Sequence, residues 1–145
     1  MKKHTIIFLI IAAVLFGTSQ SKAQSMEESC SLINSEVKDS IYGNFALSGT
    51  GFLTYTWSDG KGSETILSAE MSKIVFTTEQ LGNDFRVWIK CSDGTNCISE
   101  VGILGTDSNF NAHFNKTYLP ARNAEGMNII CDHLNFLHAV TFGEK

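Results

Sequence analysis

Phe85-Arg-Val-Trp-Ile-Lys-Cys91 alternates apolar and polar without a break; after Ser-Asp-Gly-Thr-Asn the chain resumes as Cys97-Ile-Ser-Glu-Val-Gly-Ile-Leu104. Successive side chains of a strand point to opposite faces. Phe85, Val87, Ile89 and Cys91 therefore share one face, and Arg86, Trp88 and Lys90 share the other. The intervening pentapeptide is made of turn formers, so the two runs are expected to be antiparallel strand ends. This block decides the fold class, and its neighbours continue the pattern. Toward the N-terminus, Phe52–Trp57, Thr65–Ala69 and Ile74–Thr78 are rich in strand formers. Asp59-Gly-Lys-Gly62 and Gln80–Asp84 supply turns. Toward the C-terminus, Phe110-Asn-Ala-His-Phe114 alternates again, with Phe110, Ala112 and Phe114 expected inward. Six short strands at this spacing predict an antiparallel meander.

Helices are expected at both ends. Ser25-Met-Glu-Glu28 has the form of a capping box, and Cys30, Ile33 and Val37 follow on one helical face, predicting a helix over 26–40. Tyr42–Gly51, with three glycines, reads as a connection. Pro120 suits the first turn of a second helix. Ala124, Met127, Ile130, Cys131, Leu134, Leu137 and His138 form its apolar stripe. Gly126 inside that stripe costs about 1 kcal/mol against alanine, which a close approach of helix to sheet would explain. The fold class expected is α+β.

Two segments carry a resemblance. Val87–Ile98 reads V-W-I-K-C-x-D-G-x-x-C-I, and Ala124–Leu137 reads A-x-x-M-x-x-I-C-D-H-L-x-x-L. A run of strands, such a hairpin and such a closing helix, with its His133-Leu134 step, resembles small bacterial proteins with pleckstrin-homology-like barrels. The resemblance spans residues 51–145 and implies a curved barrel plugged by the C-terminal helix. It implies binding of peptides, proteins or lipid headgroups, and no catalytic residues. The helix near the N-terminus, with its own cysteine, departs from that pattern. An acidic chain also lacks the basic pocket that phosphoinositide binding needs.

Residues 1–23 read as a cleavable secretory signal. Lys2 and Lys3 precede an uncharged apolar run, Ile6–Phe16, and Ser21-Lys22-Ala23 places small residues at a cleavage site before Gln24. The run is short of the roughly 20 residues that a membrane span needs. The expected division is leader 1–23, helix and connection 24–50, and barrel with closing helix 51–145. Loss of Lys2, Lys3 and Lys22 with the leader leaves 8 Lys+Arg against 15 Asp+Glu, a net charge of −7 rather than −4. That argues against nucleic-acid binding, which needs clustered positive charge. The site of action expected is periplasmic or extracellular.

Four cysteines, an even number in an exported chain, read as two disulfides among three possible pairings. The turn between Cys91 and Cys97 favours their pairing, leaving Cys30 with Cys131. Zinc is disfavoured by the absence of C-x2-C and of histidine at ligand spacing.

Other motifs suggest no chemistry. His133 and His138 lie five residues apart, about 140° around a helix, and cannot chelate one metal. His113 falls on the polar face of a strand. No serine stands in G-x-S-x-G. Gly49-Thr50-Gly51 precedes a strand and lacks the lysine of a phosphate cradle. Asp59-Gly60 and Asp93-Gly94 lack calcium-loop spacing. Asp39-Ser40-Ile41 has the shape of a bacterial O-glycosylation acceptor. The candidate contact patch is Arg86, Trp88 and Lys90, a tryptophan between two cations. Two arrangements would remove it: cover by the N-terminal helix, or shielding by the Arg86 and Lys90 stems. The function expected is a non-catalytic protein- or peptide-binding module of the cell envelope, without metal or cofactor. A secreted inhibitor or immunity-type protein against a basic toxin or enzyme is the alternative.

Overall fold

The computed structural model describes residues 26–38, 43–58, 60–104 and 108–143, the side chains of 103–104 and 108–109 excepted. The leader, Ser25 of the capping box, Asp59 and the Asp39-Ser40-Ile41 tripeptide lie outside the described residues. The domain is α+β. Helix α1 covers residues 26–36. Among the described residues eight strands follow: β1 (Gly43–Leu47), β2 (Phe52–Ser58), β3 (Glu64–Glu70), β4 (Ile74–Leu81), β5 (Asp84–Cys91), β6 (Ile98–Leu104), β7 (Ser108–Phe114) and β8 (Lys116–Ala121); helix α2 (Ala124–Phe142) comes last.

All strand pairs are antiparallel, in two sheets of order β1-β2-β3-β6-β7 and β4-β5-β8. The six-stranded meander is thus corrected to eight strands with two non-consecutive pairings, β3 with β6 and β5 with β8. The expected barrel is corrected too, since neither sheet closes. The 3-10 turn Met71–Lys73 takes the chain out of the first sheet before β4. The hairpin β4–β5 then forms a sheet of its own, while β6 returns to β3. Val87–Ile98 is therefore not a hairpin, because β5 and β6 belong to different sheets. The Cys91–Cys97 disulfide pins this crossing, with Cα atoms 5.8 Å apart.

Residues opposite one another in an antiparallel pair share a face. Phe45, Tyr55 and Leu67 form one such row, and Leu47, Leu53, Ala69 and Ile98 form the next. The smaller sheet turns Ile74, Val87, Ile89, Leu119 and Ala121 into the same core. Helix α2 packs across β4, β5 and β8. Of its expected stripe, Met127, Ile130, Leu134 and Leu137 are buried and Cys131 and His138 half-buried, while Ala124, in the first turn, is exposed. Full burial of a leucine or isoleucine contributes about 1.5–3 kcal/mol.

The helix starts later than Pro120 suggested. Asn123 is its N-cap, with its side chain accepting from the Gly126 amide at 2.8 Å. Pro120 lies in β8, which pairs with β5. Its carbonyl accepts from Lys38 on the opposite edge at 2.8 Å, so its missing N–H also falls on that edge, where proline is tolerated. Helix α1 correspondingly stops at residue 36, and Val37 bridges Ala121.

The connection expected at 42–51 contains β1, because Phe45 is drawn into the core. Asn34 of α1 covers the outer edge of β1: its Nδ2 donates to the Phe45 carbonyl at 3.0 Å and its Oδ1 accepts from the Phe45 amide at 2.6 Å. Gly126 meets α1 rather than the sheet, since a Cβ there would lie 2.7 Å from the Glu36 carboxylate. Phe114 shares the core-facing side with Ile98, as expected, yet is 40% exposed on β7, the edge strand of its sheet.

Candidate functional site

The smaller sheet buries one face under α2 and presents the other outward. Arg86, Trp88 and Lys90 all lie on the outward face, as the alternation requires, and each is half-buried. Register sets their neighbours. Trp88 stands between Thr77 of β4 and Tyr118 of β8, and Lys90 stands opposite Lys116. The Trp88 Nε1–H donates to the Glu79 carboxylate at 2.8 Å. Tyr118 meets Trp88 edge to face, with ring centroids 5.3 Å apart.

The cations cover these rings crosswise. The Lys116 ammonium lies 5.1 Å from the Trp88 ring, and the Arg86 guanidinium 4.8 Å from the Tyr118 ring. Arg86 also donates to Asp84 at 2.8 Å, holding that carboxyl below the usual carboxylate range. Its Nε is buried without a hydrogen-bond partner among the described residues. The cation that lies over the Trp88 ring is Lys116, from β8, rather than a neighbour on β5.

Two adjoining depressions run from this face toward the inner wall of the larger sheet. The first, about 310 Å³, is lined by Trp88, Glu100, Phe114, Lys116, Thr117 and Tyr118. The second, about 250 Å³, is lined by Tyr55, Trp57, Thr65, Leu67, Glu100, Thr117 and Tyr118. Sequence reading missed Lys116 and Tyr118 because Pro120 masked β8 as a helix start. The alternation of Thr117, Leu119 and Ala121 against Lys116 and Tyr118 was the available signal. Trp57 and Glu100 were not legible as neighbours, because the pairing of β3 with β6 brings them together.

Elsewhere the structure offers less chemistry. The groove between α1 and β1, about 650 Å³, includes Met26, Cys30, Asn34, Phe45 and Leu47. Burial pushes the Cys30 thiol above its ordinary range. Cys30 and Cys131 are free thiols, which corrects their expected pairing. Helices α1 and α2 meet where Ser29 Oγ and His133 Nδ1 lie 3.0 Å apart. Cys131 is two residues from His133, about 200° around the helix, and so faces away from α1.

The Ser29–His133 pair does not make a nucleophile. Ser29 is 3% exposed, and no carboxylate orients the ring among the described hydrogen bonds. His113 is exposed, and His138 stacks toward Phe142 at 5.3 Å. Among the described residues, no three His, Cys, Asp or Glu side chains gather as a metal site. No helix among them is long and apolar enough to cross a membrane. Comparison with family models, curated proteins and solved structures returns no match for this chain.

Proposed function

We propose that the chain is an exported, non-catalytic binding domain of the bacterial cell envelope. It holds a protein or peptide partner on the outward face of β4-β5-β8. The observation that carries this reading is the assembly of Trp88, Tyr118, Arg86, Lys116 and Lys90 on one face of a sheet whose other face is the core. Aromatic and cationic side chains held in place by each other lose little freedom on binding and dominate contact energies where they are found. The Cys91–Cys97 disulfide agrees with an oxidising compartment, and the reading of residues 1–23 as a leader supplies the route. From the pleckstrin-homology-like resemblance the proposal keeps only the class of role, a small binding scaffold.

The test is affinity capture from the envelope fraction with the wild-type domain and with Trp88→Ala. A partner retained by the first and lost by the second, with the fold preserved by circular dichroism, supports the reading. Identical retention by both sinks it. The inhibitor or immunity reading is favoured by one observation, the net charge of −7 once the leader is removed. It calls for a basic partner whose activity falls when the complex forms.

A further inference from the structure

Glu100 is the one charged residue in its row of the larger sheet. Its partners in register are Leu67 of β3 and Ala112 of β7, so it shares the core-facing side with Phe45, Tyr55 and Leu67. It is half-buried, and it has neither an ion pair nor a hydrogen bond from its side chain among the described residues. Its carboxylate oxygens keep contact with solvent, so an unpaired acidic group stands in the wall of a depression. The rings beside it are exposed: Trp57 is 41% and Tyr118 42% accessible. Together with Tyr55, Thr65, Leu67 and Thr117 they bound a depression of about 250 Å³. That is below the ~300–1,000 Å³ of sites for whole small ligands, and is the scale of a single long side chain.

We propose that this depression receives the side chain of one arginine from a peptide partner, its guanidinium paired with Glu100 and stacked between Trp57 and Tyr118. The inference rests on the binding-domain reading above and names the chemistry the partner presents. Charge complementarity argues for it: Glu100 is the only acidic side chain among the described residues of the lining. Aromatic faces attract cations, and a planar guanidinium both stacks on rings and pairs with a carboxylate. Two of the chain's own cations stand nearby and both are engaged: the Lys116 ammonium lies over Trp88, and the Arg86 guanidinium, over one face of Tyr118, is paired with Asp84. The acidic net charge of the chain draws basic segments toward it.

The probe is acetyl-Gly-Arg-Gly-amide, titrated into the isotopically labelled domain while the two tryptophan indole signals are followed by NMR. The uncharged control is the same peptide with citrulline. The arginyl peptide is expected to shift the Trp57 indole with a Kd of about 1 mM. Citrulline, and separately Glu100→Gln, should each weaken it tenfold or more. Trp57→Leu is the second variant should Glu100→Gln fail to fold. Equal binding of the two peptides, an unshifted Trp57, or a shift with N-acetylglucosamine in place of the arginyl peptide would overturn the proposal.

Trp88 lines the adjoining depression and not this one, so the arginyl titration is read at Glu100 and Trp57 and the capture experiment at Trp88. Failure here with Trp88-dependent capture intact removes only the arginine pocket. Success here with Trp88-independent capture removes only the Trp88 face.

Discussion

Asn34→Ala takes away both hydrogen bonds that cover the outer edge of β1. The Phe45 amide and carbonyl, bonded to Asn34 at 2.6 and 3.0 Å, are left without it beside a side chain that is 1% exposed. Each bond lost costs about 1 kcal/mol net, and an unpaired buried polar group costs about 1–3 kcal/mol. The groove of about 650 Å³ along this edge lets water replace part of the loss. The sum expected is about 2–3 kcal/mol. For a domain of this size that lowers Tm by about 10 °C.

Urea unfolding followed by tryptophan fluorescence measures the effect, since neither tryptophan lies on α1 or β1. Asn34→Asp sharpens the assay. Its carboxylate still accepts from the Phe45 amide but opposes the Phe45 carbonyl. The loss should therefore be present at neutral pH and partly recovered below pH ~4, where the acid regains a proton to donate. A cost below about 0.5 kcal/mol for Asn34→Ala, the range of a plain surface change, would show that α1 is not held to the sheet by this residue.

Three further outcomes follow from other parts of the fold. Gly126→Ala should raise stability by about 0.5–1 kcal/mol, because alanine favours a helix and the nearest obstacle is the movable end of Glu36; a lower urea midpoint would refute this. Reducing Cys91–Cys97, which spans a separation of 6 residues, should cost about 2 kcal/mol in the chain-entropy model, and an unchanged urea midpoint under reductant would refute it. At the free thiols, burial is the main cause that pushes both Cys30 and Cys131 above the ordinary value of 9.0. A raised folded pKa gives stability that is fully present below the unfolded value and is lost as pH rises through the folded one. The loss specific to the thiols therefore lies above pH 9.0. It should vanish in Cys30→Ser/Cys131→Ser, and an identical alkaline loss in that variant would count against the assignment.

The legible parts of the sequence were those set by local period. The β5 alternation put Arg86, Trp88 and Lys90 on one face, and the 3.6-residue period put Met127, Ile130, Leu134 and Leu137 on one stripe of α2. Both patterns follow from backbone geometry within one element, so they can be read without knowing the neighbours. Likewise the turn residues between Cys91 and Cys97 keep those two close whichever sheets they serve. Pro120 misled because a proline at the start of a helix and one on a strand edge look alike locally. Only the docking of residues 36–38 against β8 distinguishes them.

Which strand pairs with which was not legible. Backbone hydrogen bonds carry no sequence label, and the choice of β6 as partner for β3 depends on how the whole core fills. That pairing broke the meander and left both sheets open. It also placed Glu100 beside Trp57 and Tyr118. The separation of Cys30 from Cys131 was decided in the same way, since Ser29 and His133 are the residues that meet between the two helices. The sequence by itself determined the α+β class, the buried faces of β5 and α2, and the outward course of Trp88. The tertiary structure alone decided what stands next to Trp88 and Glu100, because proximity between distant residues is a property of packing and not of local period.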